Sequence, residues 1–410
     1  MDFFEDLISE RLGGRNFGKS TEIYKFEKIK RAKAEATLKY PDIPLIDMGV
    51  GEPDVPADPG IVKTLAEEAG KAENRWYSDN GIIEFQEAAA SYLENVYQIK
   101  NIVPSKNIIH GIGSKPVLAL LPICLINPGD ITLATTPGYG VTSTYTRYLG
   151  GESYGLPLLK ENNFFPDFSI IPKDILKKAK ILYINYPNNP TGQVATVDFF
   201  KTVVDFAKRN KIAVIHDAAY AAVTFDGYKP LSFMSVEGAM DVGVEVHSLS
   251  KAFNMTGWRM AFTVGNAKII NAYGTVKDNT DSGQFRAIQK AGIYALNHLE
   301  ITKETCDKYS RRFDLLISAL KEIGFDAEKP KGTFYCFVKS PRGTKSGITF
   351  NKAEDASTYL IKEALISTVP WDDAGPYLRF SVTFNARDEE EEKKVIDELK
   401  NRLSKLDLIF

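Results

Sequence analysis

A lysine placed just beyond a β-strand presents a primary amine at the carboxyl edge of a sheet, and such an amine can condense with an aldehyde. Ser248-Leu249-Ser250-Lys251 has that placement, between an apolar run at 243–247 and the stretch Ala252-Phe253-Asn254-Met255-Thr256-Gly257-Trp258-Arg259. A lysine in a turn is ordinarily only solvated, so Lys251 takes its meaning from its company. Asp217 and Tyr220, in Ile215-His216-Asp217-Ala218-Ala219-Tyr220, end a second strand. There an aspartate can face a protonated ring nitrogen, although capping a turn is its commoner fate, and a tyrosine three residues on can donate to an oxygen of the same ring. Tyr186-Pro187-Asn188-Asn189-Pro190-Thr191-Gly192 follows a third strand. It suits any tight turn, or else it aims the Asn189 amide at that oxygen.

An anion needs donors, and Gly111-Ile112-Gly113-Ser114-Lys115 stands between a strand and an apolar helix. A glycine turn feeding a helix start offers free N–H groups to a phosphate, although most such turns are only turns. It is neither a Walker A loop nor a dinucleotide fingerprint, because the spacing of the first is missing and Pro116 replaces the third glycine of the second. Arg259 and Ser248 would add charge-assisted bonds to the same phosphate. Tyr139, in Thr136-Pro137-Gly138-Tyr139-Gly140, is placed to lay its face on a ring or to join the core. Arg379 sits among apolar neighbours in Tyr377-Leu378-Arg379-Phe380-Ser381. A buried guanidinium requires a carboxylate, either an internal Asp or Glu or the α-carboxylate of a substrate held in two parallel bonds.

Ser-x-x-Lys also opens the site of penicillin-binding proteins and class A β-lactamases. That reading fails on order: Ser78-Asp79-Asn80 lies upstream of the lysine, and Lys331-Gly332-Thr333 stands where Lys-Thr-Gly is needed.

Strands expected at 107–112, 131–135, 180–186, 211–216 and 243–247 alternate with helices at 115–126 and 197–208, which predicts an α/β fold with parallel pairing and right-handed crossovers. The last third changes to a smaller α+β unit, with a long helix at 301–323, strands at 334–338 and 378–384, a helix at 353–363 and a charged helix from Arg387. The opening residues read as an arm and a helix at 24–38 ending before Pro41. The expected division is an arm and linking helix at 1–48, contributing to the small unit, a large α/β domain at 49–296 and a small domain at 297–410.

Lys plus Arg number 51 against 53 Asp plus Glu, a net charge of −2, which argues against bulk nucleic-acid binding and confines any anion site to a local cluster. Cys124, Cys306 and Cys336 lack metal-ligand spacing and read as thiols in a reducing compartment. No stretch reaches the roughly 20 apolar residues that span a bilayer, and the acidic start lacks the pattern of a secretory signal, so a cytoplasmic protein is expected.

Taken in chain order, Gly113-Ser114-Lys115, Tyr139, Asn188-Asn189-Pro190-Thr191-Gly192, Asp217-x-x-Tyr220, Ser248-x-x-Lys251, Arg259 and Arg379 resemble the fold type I aminotransferases related to aspartate aminotransferase. The resemblance implies pyridoxal 5'-phosphate held by Lys251 as a Schiff base, with Asp217 on the ring nitrogen and Asn189 and Tyr220 on the ring oxygen. Gly113, Ser114, Lys115, Ser248 and Arg259 would hold the phosphate, Tyr139 would stack on the ring, and Arg379, with Asn189, would bind the substrate carboxylate. It also implies a homodimer with shared sites, Tyr77 being lent to the neighbour's phosphate. Tyr24-Lys25-Phe26-Glu27-Lys28-Ile29-Lys30, Gly49-Val50-Gly51-Glu52-Pro53-Asp54 and Asp281-Ser282-Gly283-Gln284-Phe285 further resemble the LL-diaminopimelate aminotransferases. Those enzymes interconvert LL-diaminopimelate plus 2-oxoglutarate with tetrahydrodipicolinate plus glutamate in lysine biosynthesis. That likeness implies substrate contacts from Gly51, Tyr24 and Asp79. Aminotransferases of aspartate, alanine or aromatic amino acids share much of the pattern. A non-catalytic regulator would need a basic helix-turn-helix segment, for which the opening residues are too short.

Overall fold

The computed structural model describes residues 3–19 and 25–410, so Tyr24 lies outside the described residues. Seven strands form the central sheet: β1 (Ile108–Gly111), β2 (Ile131–Thr136), β3 (Glu152–Pro157), β4 (Ala179–Asn185), β5 (Ala213–Asp217), β6 (Gly243–Ser248) and β7 (Ala261–Gly265). Their spatial order is β1-β7-β6-β5-β4-β2-β3, and all run parallel except β7, which is antiparallel to both neighbours. Alternation along the strands serves two layers at once. Ile181, Tyr183 and Ile215 enter one core cluster, whereas Leu182, Ile184 and Val214 enter another. A sheet covered on both faces needs such continuous apolar runs.

Three corrections to the expected elements have local causes. The helix foreseen over 115–126 stops at Leu120, and a 3-10 turn over Leu121–Cys124 replaces its end because Pro122 lacks an N–H and crowds the preceding turn. Strands β3 and β7 and the short strand Val369–Trp371 were not foreseen, and the reversal of β7 could not be, since apolar alternation carries no direction. The strand foreseen over 378–384 spans Tyr377–Ser381, and the residues beyond it leave the ladder.

A second, three-stranded antiparallel sheet joins β8 (Tyr335–Lys339), β9 (Val369–Trp371) and β10 (Tyr377–Ser381) in the order β9-β10-β8. A separate apolar cluster, including Phe313, Leu316, Phe334, Leu360, Phe380 and Leu399, fills the space between this sheet and its helices. Helix α1 (Lys25–Lys39) packs on α2 (Ala353–Ala364), where Ala36 meets Ile361 and Leu365. Ile46–Asp47 pairs in parallel with Ile366–Ser367, so the start of the chain is stitched to its last third.

The long helix Leu299–Ile323 carries Arg312, which is 1% exposed. Its guanidinium meets Glu392 Oε1 at 2.8 Å and Asp54 Oδ2 at 3.0 Å, and donates to the carbonyls of Val382 and Phe384. Removing one member of a buried ion network strands the others, at a cost of about 3–5 kcal/mol. Arg312→Ala is therefore expected to lower stability by about that amount, read as a fall in the denaturant midpoint; a loss below about 1 kcal/mol would show the network to be dispensable.

Candidate active site

The carboxyl ends of β1, β2, β4, β5 and β6 open into a cavity of about 1450 Å³. Strand ends line it, as expected of a parallel sheet. The small sheet closes it with Tyr335, Trp371 and Arg379. Lysines and arginines at its wall number five (Lys115, Arg147, Lys251, Arg259, Arg379), against the acids Asp217 and Asp373, so the interior favours anions.

Ser248 ends β6, and its hydroxyl accepts from Ser250 N at 3.2 Å, starting the short turn of helix that lifts Lys251 into the cavity. Lys251 Nζ donates to Gly51 O at 3.0 Å. Burial, aided by Arg259 and Arg379 and opposed by Glu52 and Asp217, pulls the amine down to about 8. A lysine so placed has a larger neutral, nucleophilic fraction near neutral pH than an exposed one.

Asp217, 5% exposed, closes β5. Its Oδ1 accepts from Ala219 N at 3.1 Å and its Oδ2 from Tyr183 Oη at 3.2 Å. The bond from Ala219 N is that of a turn former. Burial pushes its carboxyl up, against the hydrogen bonds and the charges of His216 and Lys251. No lysine or arginine among the described residues forms an ion pair with it.

Asn185, which the sequence reading missed, ties two strand ends together. Its Nδ2 donates to Asp217 O at 2.8 Å and its Oδ1 accepts from Asn189 N at 2.9 Å. Arg379, 4% exposed, then donates from Nη1 to Asn189 Oδ1 at 2.9 Å and from Nη2 to Gly49 O at 3.1 Å. Its guanidinium also stacks 4.0 Å from the ring of Tyr335, while Nε has no partner among the described residues. No Asp or Glu among the described residues pairs with it, so the internal salt bridge is ruled out among them. Tyr335, also missed, meets Tyr220 Oη at 3.2 Å. A tyrosine in an apolar strand gives no signal until the fold brings it to the cavity.

Gly113 turns the end of β1 into the helix Ser114–Leu120 with φ 81° and ψ 152°, a conformation essentially restricted to glycine. A Cβ there would lie 2.2 Å from Arg259 Nη2. Gly113 thus lies against Arg259, which lines the cavity together with Ser114, Lys115 and Ser248, a set whose donors could cradle an anion. Gly113→Ala is expected to weaken retention of an added phosphate ester about tenfold or more, as about 1–3 kcal/mol of backbone strain adds to displacement of the arginine. Equilibrium dialysis measures it, and unchanged retention removes the cradle from that role.

Tyr139, 37% exposed, lines the same cavity beyond β2. Tyr77 and Asp79 do not line it within one chain: Tyr77 is 77% exposed, and Asp79 is exposed in a turn with φ 40°. They stand against the 281–285 segment, where Ser282 O accepts from Asp79 N at 3.2 Å and Lys277 Nζ donates to Asp79 O at 2.7 Å.

The family model for aminotransferases of class I and II matches residues 43–399. The chain is 59% identical to the LL-diaminopimelate aminotransferase of Methanocaldococcus jannaschii, over 100% of this chain and 99% of that one. It is 54% identical to the protein of the same name from Methanococcus maripaludis, with the same coverage. Among solved structures, substrate-bound BacF from Bacillus subtilis superposes with a TM-score of 0.87 at 34% identity, covering 98% of both chains.

Proposed function

Because the chain belongs to the class I and II aminotransferases, we propose that it uses pyridoxal 5'-phosphate to transfer an amino group between LL-diaminopimelate and 2-oxoglutarate. The observation that carries the cofactor reading is a buried carboxylate without a cation, Asp217, in one cavity with a low-pKa amine, Lys251, and an anion cradle at Gly113 and Arg259. Those groups fit the ring nitrogen, the aldehyde and the phosphate respectively. When bound, the cofactor's protonated ring takes up the electron pair left at the substrate Cα.

The chain's own residues do the rest. Arg379 grips the substrate α-carboxylate and turns the Cα–H bond toward Lys251. The freed Lys251 amine removes the Cα proton and returns it on the other side of the transfer, acting as base and then acid. Asn189 spends its carbonyl on Arg379, which leaves its amide N–H groups for the ring oxygen. Tyr220 is the second donor there, and Tyr139 covers the ring face. Closure of the wall by the small sheet excludes water and strengthens each charge contact.

The working unit in this reading is a homodimer. Trp76, Tyr77 and Phe285 leave large apolar surfaces exposed beside the 281–285 segment, at 57%, 77% and 44%, which a second copy would cover. Tyr77 and Asp79 then reach the neighbour's cavity, Asp79 toward the distal ammonium of LL-diaminopimelate, with Gly51 lining the substrate path. Rates with LL-diaminopimelate, meso-diaminopimelate, aspartate, alanine and phenylalanine as donors to 2-oxoglutarate test the substrate. LL-diaminopimelate is expected to give the highest kcat/KM, and aspartate equalling it would overturn the assignment. Asp79→Ala should depress LL-diaminopimelate turnover about tenfold more than glutamate turnover, the value of one lost charged contact. Equal losses would take Asp79 out of substrate choice.

A further inference from the structure

Alternation along β5 sends His216 to the face of the sheet opposite Asp217, against Phe200 and Phe233. Directly across on β6 stands Glu245, which is fully buried. Its carboxylate accepts from His216 Nδ1 at 2.8 Å, His247 Nε2 at 2.6 Å, Ser232 Oγ at 2.5 Å and Phe233 N at 2.6 Å. Burial pushes this acid up, but the two imidazoles and their hydrogen bonds outweigh it and hold the carboxyl below the ordinary range. A buried carboxylate requires a compensating cation, and no lysine or arginine among the described residues touches it. Of the groups in contact with it, only the two rings can carry that charge.

Hydrogen-bond roles decide which. Glu245 can only accept, so both facing nitrogens donate. The second nitrogen of His247 meets no acceptor among the described residues, whereas His216 Nε2 lies 3.0 Å from the carbonyl of Tyr186, which also can only accept. A ring that donates from both nitrogens is an imidazolium. The competing arrangement, a neutral ring accepting from Tyr186 N, has the longer separation of 3.3 Å.

We propose that Glu245 holds His216 as an imidazolium, and that this charged ring is a positioning residue for the transamination. Its two N–H groups lock the end of β4, where the Asn189 loop begins, onto β6, and its charge lies one residue from Asp217. There it favours the ionised carboxylate that the ring nitrogen needs, and His216 is among the groups that pull Asp217 down against its burial. The role rests on the proposed cofactor, but the protonation state does not.

The test is a 15N spectrum of the full-length protein labelled at histidine, recorded at neutral pH with and without added pyridoxal 5'-phosphate. The chain has four histidines, so His216 is assigned by replacing the other three in turn with glutamine. Protons on both ring nitrogens of His216 are expected in both samples, and a single proton overturns the proposal. Glu245→Gln should remove one of those protons and weaken retention of the cofactor in dialysis about tenfold, the equivalent of one pKa unit at Asp217. Retention equal to wild type would overturn the positioning role. Should the variant not fold, the wild-type spectrum decides alone. Were the protein to take up no pyridoxal phosphate at all, the dialysis arm would fail for wild type and variant alike, while the spectrum of the cofactor-free protein would still report on His216.

Discussion

Lys251→Ala is expected to lower kcat for amino-group transfer by about 10⁴-fold or more, the upper range for loss of a positioned base, with a covalent anchor lost besides. No other amine lies beside it among the described residues: the remaining cations of the cavity wall are Lys115, Arg147, Arg259 and Arg379, of which the arginines do not deprotonate and Lys115 belongs to the proposed anion cradle. The variant should still collect pyridoxal phosphate through Asp217 and Arg259, yet borohydride should trap no adduct on its chain. In wild type the adduct should map to Lys251 by mass spectrometry. Activity within tenfold of wild type would remove Lys251 from its role. The sign of the pH effect follows from the amine at about 8: only the neutral form attacks an aldehyde. Capture of pyridoxal phosphate by the cofactor-free protein should therefore accelerate as pH rises through about 8 and level off above it.

Arg379→Ala should reduce kcat/KM for amino acids by about 10²–10³-fold, the loss expected for one member of a buried, hydrogen-bonded charge pair. Arg379→Lys should recover little of it. The two Nη atoms reach Asn189 and Gly49 in a fixed fork, and a single ammonium cannot hold that frame and a carboxylate together. A substrate lacking the α-carboxylate separates this from misfolding. Wild type should discriminate strongly between an amino acid and its decarboxylated amine, and the variant should not. Discrimination retained in Arg379→Ala would mean that another group reads the carboxylate.

Motif residues on consecutive strand ends were readable because a parallel sheet brings its carboxyl edges to one place by construction. Lys251, Asp217, Asn189 and the Gly113 turn each follow an apolar run, so period and punctuation alone predicted one shared rim. Arg379 was legible for a different reason, since a charge inside an apolar strand demands a partner.

Asn185 and Tyr335 were not legible, since the one merely closes β4 and the other lies in a separate sheet, with nothing local to mark either as a polar group with work to do. Glu245 carried the same signal as Arg379, a charge inside an apolar strand, and was passed over; only the fold showed the two histidines that answer it. Direction was equally hidden: β7 pairs antiparallel on both sides, and alternating burial is the same read from either end. Residue types and spacing by themselves determined the kind of chemistry, the alternating α/β order and the rim on which the reactive groups stand. Only the tertiary structure decided which of them meet, because hydrogen-bond partners 32 and 190 residues apart, such as Asn185 with Asp217 and Asn189 with Arg379, are chosen by packing. Burial, in turn, sets the protonation of Lys251 and Asp217 through a desolvation that exists only once the chain has closed around them.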